Sequence, residues 1–178
     1  MVETVQFSEA GRIGEIELRK YPELVLATVT GLSDNSAFGL LFDYISGKNR
    51  MQKKIPMTAP VITSEKIEMT APVISDSNSF SFVMPDRYKP EDIPEPMDAR
   101  IRIQTIPARK LAVIRFKGYA RAKSVNEVKS RLLSILQKSG AVTVGEPFLM
   151  RYNSPWTPGF MRRNEVGIEI SQIGSTSD

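Results

Sequence analysis

Apolar and polar positions along this chain alternate in several short blocks and recur at helical spacing in two longer ones. Ile16 and Leu18 alternate with charged neighbours, and beyond the Tyr21-Pro22-Glu23 break residues 24–29 are rich in apolar side chains, so the two segments read as a β-hairpin. A helix is predicted next. Ser33, Asp34 and Ser36 offer capping oxygens, Phe38, Leu41, Phe42 and Ile45 recur every three or four residues, and Gly47 suits a left-handed stop. The second half returns to the same order: Ile101 and Ile103 alternate with polar residues, Pro107 breaks the run, and residues 111–116 resume it. A second helix follows, with Ser124 and Glu127 as a capping box, a stripe of Val125, Val128, Leu132, Ile135 and Leu136, and Gly140 at its end. Period-two alternation predicts further strands at 80–84, 148–152 and 166–170.

The halves overlie at a constant offset, Tyr21-Pro22 through Val29 on Ile106-Pro107 through Ile114. Strand, Pro turn, strand, helix in each copy predicts an α+β fold of two tandem βαββ repeats, with the helices on one side of the joined sheet. The groove between the halves is then the natural ligand site. At 178 residues the chain fits a single domain, residues 1–178, with a core over about 14–170. Residues 85–97 hold four prolines and read as an extended surface connection, or as a Pro-rich stretch beside Tyr88 open to an unknown protein partner. Residues 174–178 read as a disordered tail.

Composition narrows the chemistry mainly through two absences. With no cysteine there are no disulfides, thiolate nucleophiles or thiolate-held metals, and with no histidine the usual metal ligand and general base are missing too. A Ser-His triad cannot be assembled, and no Gly-rich phosphate loop or nucleophile elbow is present. No apolar run is long enough for a membrane span, and residues 1–11 lack the pattern of a secretory signal, so a cytoplasmic protein without a membrane partner is expected. The net charge of +4 is scattered rather than clustered, so nucleic acid is not an expected partner.

The most unusual feature is a doubled nonapeptide. Lys54-Ile55-Pro56-Met57-Thr58-Ala59-Pro60-Val61-Ile62 returns twelve residues later as Lys66-Ile67-Glu68-Met69-Thr70-Ala71-Pro72-Val73-Ile74. Proline lacks the amide donor that an interior strand needs, so the copies read as two irregular edge strands around a turn at 63–65. Met57 and Met69 also offer flexible, polarizable thioethers to the wall of a pocket for an aromatic ligand.

Several motifs in order now resemble one family. The doubled Lys-Ile-x-Met-Thr-Ala-Pro-Val, the stretch Phe42-Asp43-Tyr44-Ile45-Ser46-Gly47-Lys48-Asn49, Ser81-Phe82-Val83-Met84-Pro85, and Tyr152-Asn153-x-Pro155-x-x-Pro158 leading to Arg162-Arg163-Asn164-Glu165-Val166 are similar to the SOUL haem-binding proteins over residues 14–170. The resemblance implies a curved antiparallel sheet or distorted β-barrel flanked by two main helices, similar to gyrase-inhibitor-like effector domains. It also implies a shallow apolar groove that holds haem or a related tetrapyrrole, for carriage or buffering, beside the first helix and a loop near the C-terminal strands. Carried over by motif, that groove is bounded by Asn35, Phe38 and Phe42, with Arg162 and Arg163 at the loop and Met57 and Met69 beside them. The family pattern has methionines and an arginine on the helix face, where this chain has the two phenylalanines and Asn35. Aromatic faces stack on a flat macrocycle, and a guanidinium suits its propionates. Without a His or Cys axial ligand, binding of haem or porphyrin is expected to be micromolar or weaker. The effector-domain likeness implies a second reading, binding or weak hydrolysis of another apolar or cationic small molecule by a groove carboxylate. Glu165 with Tyr152 or Tyr44 is the candidate pair for it, although Glu165, at the start of an apolar strand in a polar run, reads first as an ion-pair partner of Arg162 or Arg163.

Overall fold

The computed structural model describes residues 3–53, 61–153 and 156–172. In chain order its strands and helices are β1 (Glu3–Thr4), β2 (Ser8–Ile13), β3 (Ile16–Tyr21), β4 (Leu24–Thr30), α1 (Asp34–Ile45), β5 (Asn49–Lys53), β6 (Val61–Thr63), β7 (Thr70–Ser75), β8 (Ser79–Val83), β9 (Glu95–Pro96), β10 (Arg102–Ile106), β11 (Arg109–Lys117), α2 (Ala122–Lys138), β12 (Val142–Arg151) and β13 (Arg163–Gln172). The main sheet runs β10-β4-β8-β7-β12-β13-β11-β3-β2, and β5, β6 and β9 form a small separate sheet. Every pairing is antiparallel except that of β1 with β7. Its end strands β10 and β2 do not pair, so this α+β sheet is open rather than closed into a barrel.

The expected hairpins do not form. β3 pairs with β2 and β11, while β4 pairs with β10 and β8. Two-residue hairpin loops need a positive φ at their first position, and Pro22 and Pro107 hold φ near about −65° there. The chain therefore leaves each strand without folding back on it, and β3 and β10 find partners in the opposite half. The doubled motif also departs from the expected pair of edge strands. Its second copy contributes β7, which is interior, between β8 and β12, whereas Val61 and Ile62, at the end of the first copy, pair with β5 in the small sheet. Pro72 is accommodated because the β7–β8 register shifts between Thr70 and Val73, and Ala71 bonds sideways, accepting from the Val5 amide at 2.9 Å.

Alternation along the strands gives the sheet two distinct faces. Val25, Ala27, Val29, Phe80 and Phe82 pack under α1, and Ala112, Ile114, Leu149, Val166 and Ile168 pack under α2. The intervening positions Leu26, Val83, Leu111, Val113, Phe148 and Met150 meet on the other face with Val5 and Tyr21. The strands under α1 and those under α2 touch along a seam where β7 pairs with β12.

Both helices differ from expectation in detail. α1 is capped by Ser33, whose Oγ accepts from the Ser36 amide, but its buried residues are Ala37, Leu41, Tyr44 and Ile45. The buried stripe is thus rotated away from Phe38 and Phe42, which lie at its edge, with Phe42 48% exposed. α2 starts at Ala122 with Arg121 at its cap, so Ser124 lies inside the helix rather than capping it. Residues 85–97 are more anchored than expected, since β9 pairs with β5, Tyr88 is buried, and the Pro94 carbonyl accepts from the Tyr44 hydroxyl at 2.7 Å. The expected tail lies outside the described residues. Leu41→Ala should cost about 2–5 kcal/mol in urea denaturation, and Phe42→Ala within about 1 kcal/mol, two adjacent positions separated by burial alone. Equal losses would contradict this division of the helix.

Candidate functional site

A cavity of about 400 Å³ opens beside the β7–β12 seam, on the helix-bearing face. Phe38 and Phe42 of α1 form one wall, Met69, Thr70, Ala71 and Val73 the floor, and Phe80 the back; Arg151, Tyr152, Asn153 and Trp156 close the far side. Phe38 stacks on Phe42 with ring centres 5.9 Å apart and meets Phe82 edge-on at 5.4 Å, so the aromatic wall is held from behind. Two clamps set the width of the opening. Arg151 Nη2 reaches Asp34 Oδ2 at 2.9 Å, tying the end of β12 to the start of α1. At the other end of the helix, buried Asn49 donates to the carbonyls of Tyr44 and Glu65 and accepts from the Glu65 amide, fixing α1 to the segment that leads into β7. Thr70 contributes a buried Oγ1 that has no hydrogen-bond partner.

Behind the Tyr152 wall lies a charge network on the opposite sheet face. Arg19 and Glu165 are both fully buried, and the guanidinium reaches over β11 to the carboxylate with bonds of 2.7 and 2.9 Å. Arg163 adds a bond of 2.7 Å, Arg115 lies at 3.3 Å, and the Tyr152 hydroxyl donates to Glu165 Oε2 at 2.7 Å. Arg19 also bonds Glu17 and the Tyr21 hydroxyl and lies 4.1 Å above the Phe7 ring. Burial pushes the Glu165 carboxyl up, but the hydrogen bonds from Arg19 and Arg163, the Arg19 charge and the Tyr152 hydroxyl outweigh it and hold it below the ordinary carboxylate value. Burial, then the Glu165 charge, push the Tyr152 phenol well above its ordinary range. The carboxylate therefore stays ionised and the phenol protonated, and the bond between them holds the Tyr152 ring at the wall of the cavity.

A model of the SOUL heme-binding protein family matches residues 2–169. This chain belongs to the SOUL family. It is 31% identical over 160 residues to heme-binding protein 2 of Homo sapiens, covering 86% of this chain and 77% of that protein. The Mus musculus heme-binding protein 2 is 30% identical over 173 residues, covering 88% and 82%. The crystal structure of the EcmrR C-terminal domain aligns with a TM-score of 0.55 at 12% identity over 94% of this chain and 99% of that one, a likeness of fold alone.

Of the residues that the sequence nominated, this SOUL chain brings Phe38, Phe42 and Met69 together on the cavity wall. Met57 lies outside the described residues. Asn35 is exposed and is not among the lining residues. Neither arginine of the expected pair lines the cavity. Arg162 donates from Nε to the Thr157 carbonyl and lies over the Tyr119 ring at 4.7 Å, while Arg163 covers the Tyr152 ring at 4.6 Å and binds Glu165. The cation at the cavity is instead Arg151. Tyr152 and Glu165 are joined as nominated, but Tyr44 is spent on Pro94, and Glu165 is enclosed by guanidinium groups that already balance its charge.

Arg151 and Asn153 escaped the sequence reading although they flank Tyr152, because strand-end polar residues give no periodic signal. Trp156 is the chain's single tryptophan, and that rarity was the available cue. The depressed Glu165 carboxyl contributes stability that is complete above its ordinary value of 4.5 and is lost as pH falls through the folded value. Glu165→Gln should cost roughly 3–5 kcal/mol at neutral pH by leaving the fully buried Arg19 with Glu17 as its one remaining carboxylate. The same variant should flatten the acid limb of stability measured against pH below about 4.5. An acid limb as steep as that of the parent chain would remove Glu165 as its source.

Proposed function

We propose that this chain binds haem or a related tetrapyrrole in the cavity between α1, β7, β8 and the segment after β12, for carriage or buffering. The observation that carries the reading is an open, largely apolar cavity of about 400 Å³ faced by five aromatic side chains, Phe38, Phe42, Phe80, Tyr152 and Trp156, with one guanidinium at its edge. That volume lies in the range of small-molecule sites, and so does an apolar lining with few polar groups. Membership in the SOUL family and the similarity to proteins named heme-binding protein 2 support the same ligand class.

The lining suits the guest's shape and charge. Haem presents a flat apolar macrocycle with two carboxylates along one edge. Phe38, Phe42 and Trp156 would hold its faces, and Arg151 would meet a propionate by exchanging it for Asp34. The chain contains neither His nor Cys, and among the described residues no cluster of acidic side chains could hold a metal. Met69 places the thioether on the wall, while the Tyr152 oxygen is committed to Glu165. Affinity then rests on the macrocycle and its carboxylates rather than on the iron.

Two titrations test this, both followed at the Soret band. Metal-free protoporphyrin should bind within about tenfold of haem, because a strong axial ligand would be needed to separate them further. Phe42→Ala and Trp156→Ala should each weaken binding by about 3–10-fold, the worth of one aromatic contact. No saturable change for either porphyrin, or variants that bind as tightly as the parent chain, would overturn the assignment.

A further inference from the structure

Among the described residues, the most exposed large apolar side chains fall at one place. Among the described residues with large exposed apolar side chains, Trp156 at 91%, Phe160 at 80% and Met161 at 61% are the three most exposed, and they fall within six positions. Scattered single side chains of this kind are ordinary on a soluble surface; three at one tip are not. The tip is built rather than loose. Residues Gly159–Met161 form a 3-10 turn closed by the Arg162 amide on the Gly159 carbonyl at 3.1 Å. Gly159 backs so closely onto the Tyr119 ring that a Cβ there would overlap it, and the Arg162 guanidinium lies over the same ring.

The tip therefore sits against the turn that joins β11 to α2, and the charge of these two segments is one-sided. Residues 117–123 contain Lys117, Arg121 and Lys123, residues 156–163 contain Arg162 and Arg163, and neither stretch contains Asp or Glu. Arg163 is turned inward to Glu165, whereas Lys117, Arg121 and Lys123 are exposed. An indole, a phenyl ring and a thioether projecting beyond a basic collar match a bilayer interface, where aromatic side chains enter the headgroup boundary and cations meet acidic lipids.

We propose that the Trp156–Met161 tip docks this protein on an anionic lipid bilayer. No membrane-crossing helix is needed, and among the described residues no helix is long and apolar enough to be one. Because Trp156 belongs both to the tip and to the cavity lining, docking turns the opening toward the lipid, the phase in which flat apolar ligands concentrate. The docking itself does not depend on the tetrapyrrole reading.

Ligand-free protein and lipid vesicles separate the two. Trp156 is the only tryptophan, so its emission reports the tip alone. With vesicles of phosphatidylcholine containing about a third phosphatidylserine, emission should shift to the blue and be quenched by acyl-brominated lipid, and the shift should weaken when salt is raised. Pure phosphatidylcholine should bind several-fold more weakly. The double variant Phe160→Ser, Met161→Ser, both at exposed positions, should lower partitioning by at least about tenfold with an unchanged circular dichroism spectrum. Lys117→Gln with Arg121→Gln should weaken it several-fold while leaving the apolar tip intact. An unshifted emission with phosphatidylserine vesicles would overturn the proposal, as would equal partitioning of the double serine variant. Self-association through the tip in sedimentation without vesicles, accompanied by no vesicle binding, would also overturn it and assign the surface to a protein partner.

Discussion

The ion pair between Arg19 and Glu165 is the constraint on which the rest of this structure depends. Neither side chain touches solvent, and the two belong to strands separated by β11, so the guanidinium must cross a full strand to reach its carboxylate. Two isolated charges in such a place would be costly, and they are tolerated because Glu17, Arg163, Tyr21 and Tyr152 complete their hydrogen bonds. The arrangement reaches the cavity through a single phenol. Tyr152 gives its hydroxyl to Glu165, takes the Arg163 guanidinium on its ring, and offers the remaining apolar surface to the cavity. A polar network on one face of the sheet thereby fixes the position of an apolar wall at its edge.

The cavity itself follows from how the chain connects its strands. Prolines at 22 and 107 deny each half its own hairpin, β7 and β12 become neighbours at the centre of the sheet, and α1 lies to one side of that seam. Packing of α1 uses Ala37, Leu41, Tyr44 and Ile45, which leaves two phenylalanines at the edge of the helix over the cavity. Arg151 and Asn49 then anchor the two ends of α1 and keep that space from collapsing. Phe38 and Phe42 lie at the margin of the core without plugging the opening, which is what a flat guest requires.

Much of this architecture was legible in the sequence, because periodicity depends on which side of an element is buried. The two helices, the strands at 80–84, 148–152 and 166–170, and the α+β class all follow from that one principle. Strand partners did not, since alternation says which face a residue takes and nothing of which strand lies beside it; the interior place of β7, despite Pro72, is the clearest instance. Phe38, Phe42 and Met69, which motif and spacing both marked, line one cavity. The Arg19 and Glu165 pair was hidden because its members stand 146 positions apart, and each lies in an alternating strand where a charge ordinarily signals solvent. Arg162 and Arg163 do not line the cavity: adjacent cations in a loop suggest an open anion site, whereas here aromatic rings lie under both and Arg163 pairs with Glu165, the ion pair that the sequence also offered.

We propose that a planar apolar guest enters the cavity bounded by α1, Tyr152 and Trp156. The single tryptophan on its wall makes one measurement decisive: the emission of Trp156 followed during a protoporphyrin titration, with porphyrin absorbance recorded in the same samples. The two signals should saturate together, with near-complete loss of tryptophan emission, because the ring stands at the cavity's edge. A porphyrin absorbance change that saturates while tryptophan emission persists would place the ligand elsewhere and contradict the account.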